Sequence, residues 1–356
     1  MIKKRIEKIM QNLENAEALL ILSEPNRFYL TGFSSSAGTL LITKEKSYFL
    51  IDFRYYEKAK ITLNYSKVIL LSKYDEQVCE LLKHHNIKSL FVETNYVNIK
   101  QFNIMKKALE NIFISTDAKF VNLIEDMRSV KDEQELNFIK KAQSITDKTF
   151  SYILNNIKQG RTERDIMLDM EYYMRRLGSE GVSFDFIVVS GKNSSLPHGV
   201  PTDKPLQNGD FLTIDFGAVV NTYRSDMTRT VALGYVTDEQ RRVYNTVLKA
   251  QQCAIKSVKA GVVCKDVDKI ARDIIYDAGY EGCFGHGLGH SVGIEIHENP
   301  SFNLSCDTHL KAGMVMTVEP GIYLENKFGV RIEDMVFVTN SGCTNITESK
   351  KELIIL

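Results

Sequence analysis

The second half of the chain repeats itself, and that repeat constrains the fold more tightly than any compositional property. Lys158-Gln159-Gly160 and Lys259-Ala260-Gly261 each precede a stretch with helical apolar spacing, closed by Gly178 and Gly279 respectively. Further on, Gly209-Asp-Phe-Leu-Thr-Ile-Asp215-Phe-Gly217 is echoed by Gly313-Met-Val-Met-Thr-Val-Glu319-Pro-Gly321, and Arg224-Ser-Asp226 by Arg331-Ile-Glu333. Two related helix–helix–strand units are expected to form one domain, their strands curving into a single sheet with the helices outside.

The preceding residues read differently. Ile2, Ile6, Ile9, Met10 and Leu13 share one helical face, so the N-terminus is expected to be a structural amphipathic helix and not a secretory signal. Ala18–Leu22 reads as a short strand, Gly38–Thr43 and Ser47–Asp52 as a hairpin, and Ile87–Glu93 and Ile112–Thr116 as strands flanking a helix from Tyr96 to Glu110. Strands alternating with helices imply a small α/β domain. His84 and His85, in a polar setting, are expected on a solvated loop. The pattern breaks over Asp117–Lys131. Beyond it, Leu136, Ile139, Ala142, Ile145, Phe150, Ile153 and Ile157 mark a long helix, and Thr162 with Asp165 a capping box opening the next. The expected domains are residues 1–125 and 126–356.

Composition serves mainly to exclude. Lys+Arg and Asp+Glu are equal at 45 each, which favours neither nucleic acid nor an anionic membrane as a partner. No apolar run approaches the roughly 20 residues that span a bilayer. The six cysteines form no CxxC pair and read as reduced thiols, consistent with a cytoplasmic protein.

The chemistry lies in the repeat. Asp215 ends an apolar strand, where a lone carboxylate is costly to bury. Glu319 occupies the same place in the second unit, and Asp226 and Glu333 correspond in the same way. Four carboxylates brought together repel one another unless cations neutralise them. His198, His286, His290 and His297 lie in glycine-rich surroundings nearby. Carboxylates with an imidazole suit Mn²⁺, Co²⁺, Zn²⁺ or Fe²⁺. Such a set fits two ions about 3.5–4 Å apart, as used in metal-assisted hydrolysis. There is neither a HExxH helix nor a GxSxG elbow.

From residue 131 onward these motifs resemble the pita-bread metallopeptidases, a group that includes methionine aminopeptidase, aminopeptidase P and prolidase. The resemblance implies an α/β N-terminal creatinase-type domain followed by an α+β pita-bread catalytic domain with an internal pseudo-twofold repeat. It places the metal ligands at Asp215, Asp226, His290, Glu319 and Glu333, with Asp226 and Glu333 bridging two divalent ions, most often Mn²⁺. Asp215 is implied to bind one ion, and His290 with Glu319 the other. Tyr29–Gly38, Leu196-Pro-His198-Gly and Glu319-Pro-Gly-Ile-Tyr323 resemble the aminopeptidase P and prolidase branch. Its substrates are short peptides with proline second, and its N-terminal domain usually supports a homodimer.

On that basis Glu319 is expected to shuttle a proton to the leaving nitrogen. His198 and His297 are expected to hold substrate and stabilise the tetrahedral intermediate. His286 is expected to line the proline pocket. Arg331 would contact substrate or orient Glu333, or serve only as an ion-pair partner, and Tyr323 would bond near the site or simply pack. Aminopeptidase P is the first expectation, prolidase the alternative and methionine aminopeptidase a distant third. A non-catalytic peptide- or protein-binding module of the same fold is the reading from another class.

Overall fold

The computed structural model describes residues 1–356 and divides them into two compact units, Met1–Arg128 and Ser129–Leu356. No helix is long and apolar enough to cross a membrane.

The first unit runs α1 (Ile2–Asn12), β1 (Glu17–Ile21), α2 (Glu24–Thr31), β2 (Thr39–Thr43), β3 (Ser47–Ile51), α3 (Phe53–Thr62), β4 (Lys67–Leu70), α4 (Tyr74–His84), β5 (Ser89–Val92), α5 (Ile99–Ala108), β6 (Phe113–Ser115) and α6 (Lys119–Ser129). Its six strands form one mixed sheet in the order β4-β3-β2-β1-β5-β6. The β2–β3 hairpin is antiparallel, with Leu40 opposite Phe49. β4, β5 and β6 each join a parallel neighbour, because a helix carries the chain back between them. β2 and β3 are buried throughout, so their apolar runs alternate only weakly with polar residues.

Two local expectations are corrected here. His84 and His85 close helix α4 instead of lying on a loop, and the His85 ring is mostly covered, its Nε2 2.7 Å from Tyr48 Oη. The break at Asp117–Lys131 is itself helical. Asp117 accepts from the Lys119 amide at 2.7 Å, and Phe120, Val121 and Ile124 supply a buried stripe.

The second unit contains α7 (Glu133–Leu154), α8 (Glu163–Arg176), β7 (Ile187–Ser190), β8 (Phe211–Phe216), β9 (Val219–Val220), β10 (Tyr223–Arg224) and β11 (Met227–Ala232). It continues with α9 (Asp238–Ser257), α10 (Cys264–Asp277), β12 (Gly289–Ser291), β13 (Glu298–Phe302), β14 (Val315–Val318), β15 (Gly321–Leu324), β16 (Phe328–Arg331), β17 (Asp334–Val338) and β18 (Cys343–Asn345). The repeat is visible in the backbone. Gly160 and Gly261 take φ of 88° and 86°, and each donates its amide to a leucine carbonyl, Leu206 and Leu310. Gly209 and Gly313 likewise donate to Leu233 and Val338. Helices α7 and α8 bury Ile153, Ile166 and Met170 with Ile214 and Phe216; α9 and α10 bury Val247, Val267 and Ala271 with Met316 and Val318.

The expected single curved sheet is divided. Hydrogen bonding gives a three-stranded sheet, β11-β8-β7, a five-stranded sheet, β13-β12-β14-β17-β18, and two small hairpins. At the seam a side chain takes over from the backbone ladder. The Thr230 hydroxyl accepts from the Arg331 amide at 3.2 Å and donates to the Arg331 carbonyl at 3.0 Å. One step further the Glu333 amide reaches Thr228 O at 3.0 Å. The seam is where the candidate site lies.

Candidate metal centre

The ends of β8, β11, β12, β14 and β16 bring five side chains to one cavity of about 830 Å³ in the second unit. Asp215, Asp226, His290, Glu319 and Glu333 all line it, together with His198, His286, His297 and Arg331. Asp226, His290 and Glu333 are the tightest group, offering ligand atoms within 4.8 Å of one another. Glu319 Oε1 lies 3.4 Å from His290 Nε2, and Asp226 Oδ2 lies 3.6 Å from the same atom. Asp215 and Glu319 stand outside the tight trio, and Arg331 Nη2 donates to Asp215 Oδ2 at 2.6 Å.

Each acid is aimed by a neighbour. Thr228, two residues along β11 from Asp226, donates to Glu333 Oε2 at 2.7 Å. Thr317, two residues before Glu319, donates to Glu319 Oε1 at 3.1 Å and accepts from the His290 amide at 3.0 Å. Both threonines were missed in the sequence. Their signal was the strand period of two, which puts residues i and i+2 on one face. Gly289 is required for the approach of β12 to β14: a Cβ there would stand 2.2 Å from Thr317 O.

Arg331 spends most of its N–H donors within the protein. Beyond Asp215, it donates from Nε to Thr228 Oγ1 at 3.1 Å and from Nη1 to Tyr323 Oη at 2.7 Å and Pro197 O at 3.2 Å. It therefore reaches Glu333 only through Thr228, and its direct carboxylate partner is Asp215. Tyr323 does bond at the site, since its oxygen also lies 2.9 Å from His286 Nε2. Behind the site, Arg229 donates to Asp334 Oδ1 at 2.7 Å, to the Glu333 carbonyl, and to Ser349 O and Lys350 O at 2.7 and 2.9 Å. Asp334 is also bound by Lys351 and by Gln251 at 2.9 Å. Burial alone would raise the Asp334 carboxyl, but Arg229 and Lys351 hold it below its ordinary value.

Burial shifts the remaining titratable groups toward their neutral forms. Burial pushes Glu319 up to about 8. Burial, reinforced by neighbouring carboxylates, raises Asp226 and Glu333 well above the usual range. Burial lowers His290 and His286 to about 4, leaving both imidazoles neutral; both His286 nitrogens are hydrogen-bonded, whereas His290 Nε2 faces the carboxylates. Asp215 Oδ1 and Glu333 Oε1 are buried with no hydrogen-bond partner. Buried carboxylate oxygens without donors, beside a neutral imidazole, suit divalent cations. His198 and His297 are exposed on the cavity wall, and the His297 ring meets that of His290 edge-on at 4.4 Å.

Residues 137–340 match the model of Metallopeptidase family M24, and residues 3–130 that of the Creatinase/Prolidase N-terminal domain. An Xaa-Pro dipeptidase of Pyrococcus horikoshii is 39% identical, covering 99% of this chain and 98% of its own. Among solved structures, an Xaa-Pro dipeptidase from Bacillus anthracis superposes with a TM-score of 0.96 at 38% identity, covering all of both chains. An X-Pro aminopeptidase from Thermotoga maritima does so with a TM-score of 0.92 at 36% identity, covering 99% of each.

Proposed function

The chain belongs to metallopeptidase family M24, a metallo-exopeptidase dependent on divalent metal ions, and from that premise we propose that it hydrolyses the bond between an N-terminal residue and a following proline. The observation that carries this reading is the cluster of four carboxylates and His290, with Asp215 Oδ1 and Glu333 Oε1 left unpartnered. Asp226 and Glu333 would each serve two ions, Asp215 one of them, and His290 with Glu319 the other. When bound, such ions supply Lewis-acid polarisation of a carbonyl and a more acidic water.

The chain's own groups do the rest. Glu319, with one oxygen held by Thr317, moves a proton from the attacking water to the leaving proline nitrogen. His198 and His297 donate to the carbonyl oxygen as negative charge builds on it. His286, fixed by Tyr323 Oη and the Gly287 carbonyl, forms a wall of the proline pocket. Arg331 lines the cavity and holds Asp215, and its substrate role would use the guanidinium N–H that those bonds leave over.

Of the two peptide lengths, dipeptides have the wider support, since the Pyrococcus and Bacillus relatives carry that name; the Thermotoga relative supports longer peptides. Manganese is the favoured ion because the set is rich in oxygen. A homodimer assembled through the N-terminal unit and a cytoplasmic location, in keeping with six free cysteines, complete the reading. The test is hydrolysis of Ala-Pro and Ala-Pro-Ala with Mn²⁺, Co²⁺ or Zn²⁺. A purified protein that neither binds nor needs a divalent ion would instead be a binding module.

A further inference from the structure

Lys131 belongs to none of the motifs above, yet it is an almost fully buried cation in the second unit. Its side chain is 1% exposed, and that of its partner Glu298, 3.1 Å away, is 5% exposed. Burying both charges costs several kcal/mol of desolvation, roughly offset by their attraction, so such a pair adds little stability for its own sake. What it does is spatial. Lys131 Nζ donates to Glu298 Oε2, to Ser291 Oγ at 3.0 Å and to Ser129 O at 3.4 Å. Its own amide is tied to Gly313 O at 2.8 Å, so the stem is anchored as well.

Ser291 and Glu298 each directly follow a site histidine, His290 and His297. They are paired across β12 and β13, at the point where the register shifts between His290 and Ser291. A register shift interrupts the ladder locally, and the clasp lies on it. Glu298 also gathers the loop between the histidines, its Oε1 accepting from the Ile294 amide at 3.0 Å and the Glu295 amide at 3.3 Å. Gly293 makes this fold-back possible, since a Cβ there would stand 2.5 Å from Glu298 Oε2. One ammonium therefore ties together the backbone that carries both imidazoles.

We propose that Lys131 is a positioning residue of the catalytic centre, which by clasping Ser291 and Glu298 sets His290 and His297 at their working separation. The inference rests on the metallopeptidase reading, and its test separates the two. Full-length Lys131→Met and Lys131→Met/Glu298→Gln proteins are compared with wild type for thermal midpoint, Mn²⁺ affinity by calorimetry, and kcat and KM on Ala-Pro and Ala-Pro-Ala. Lys131→Met removes the buried cation that faces the Glu298 carboxylate, so its midpoint falls. Its Mn²⁺ affinity weakens about tenfold, as expected when a group orienting a ligand is lost. Its kcat drops on the order of 10²-fold, with KM little changed, as expected for slightly misplaced catalytic groups.

The double variant also removes the Glu298 charge but does not restore the clasp. Its midpoint recovers while Mn²⁺ affinity and kcat stay depressed, and this also decides the matter if the single variant fails to fold. Recovery of all three together would overturn the proposal, leaving Lys131 with a purely structural role, as would a lowered midpoint with unchanged Mn²⁺ affinity and kcat. If wild type cleaves neither peptide, the substrate reading fails, and Mn²⁺ affinity still decides the clasp.

Discussion

Removing the metal should make the protein lose stability as the solution becomes more alkaline, over a range where most proteins are indifferent. Burial has pushed Glu319 from an ordinary 4.5 up to about 8 and raised Asp226 and Glu333 in the same direction. In the folded state without metal these acids keep their protons, whereas in the unfolded chain they have lost them. The folded state then binds more protons, so stability falls as pH rises toward the folded values. The histidines act oppositely: His286 and His290, lowered to about 4, add stability between pH 4 and 6.5 and nothing above. The clean window is therefore above pH 6.5. At about 1.4 kcal/mol per pH unit, Glu319 alone removes on the order of 2 kcal/mol between pH 6.5 and 8. For a cooperative unit of this size that is a fall of roughly 4–8 °C in midpoint, to which Asp226 and Glu333 add. The assay is a thermal melt of chelator-treated protein across this window, repeated with excess Mn²⁺. Metal binds only the deprotonated ligands, so the loaded protein should show no such fall. A chelated protein whose midpoint is flat or rising from pH 6.5 to 8 would refute the reasoning.

Asp226→Asn or Glu333→Gln should abolish binding of a second Mn²⁺ equivalent in calorimetry, and two retained equivalents with normal turnover would remove the bridging assignment. His198→Ala should keep its metal content and lose about 10²–10³-fold in kcat, the usual cost of one lost oxyanion donor, read by steady-state kinetics beside metal analysis. Truncation after Glu348 removes Lys351 and the Ser349 and Lys350 carbonyls, leaving the Arg229–Asp334 pair one cation short and two Arg229 N–H groups without acceptors. Each stranded donor should cost about 1–3 kcal/mol, read by denaturant unfolding.

How much of this was legible depended on whether a feature was written twice. The glycine turns at Gly160 and Gly261, and the acids Asp215 and Glu319, could be read in the sequence because each half vouched for the other. The β2–β3 hairpin and the α7 helix were legible from periodicity alone. Helices α2, α3 and α4 were not, because their apolar residues are few or follow strand-like runs, and their helicity is set by packing against the sheet. Arg229 and Lys131 had no local signal at all. Each acts on residues more than a hundred positions away, and a lone basic residue in sequence reads as a solvated one.

The repeat also misleads in one respect, because equivalent positions in the two halves are not chemically equal. Asp215 and Glu319 occupy matching strand ends, yet Asp215 shares an oxygen with the Arg331 guanidinium at 2.6 Å, while Glu319 is held by the neutral Thr317 hydroxyl at 3.1 Å. Three of the four histidines lining the cavity, His286, His290 and His297, come from the second half and His198 alone from the first. A cation beside Asp215 therefore competes with a fixed positive charge, whereas one beside Glu319 gains a neutral imidazole. Pseudo-symmetry explains why four acids converge, and the departures from it, Arg331 on one side and His290 on the other, make the two sides of the site different.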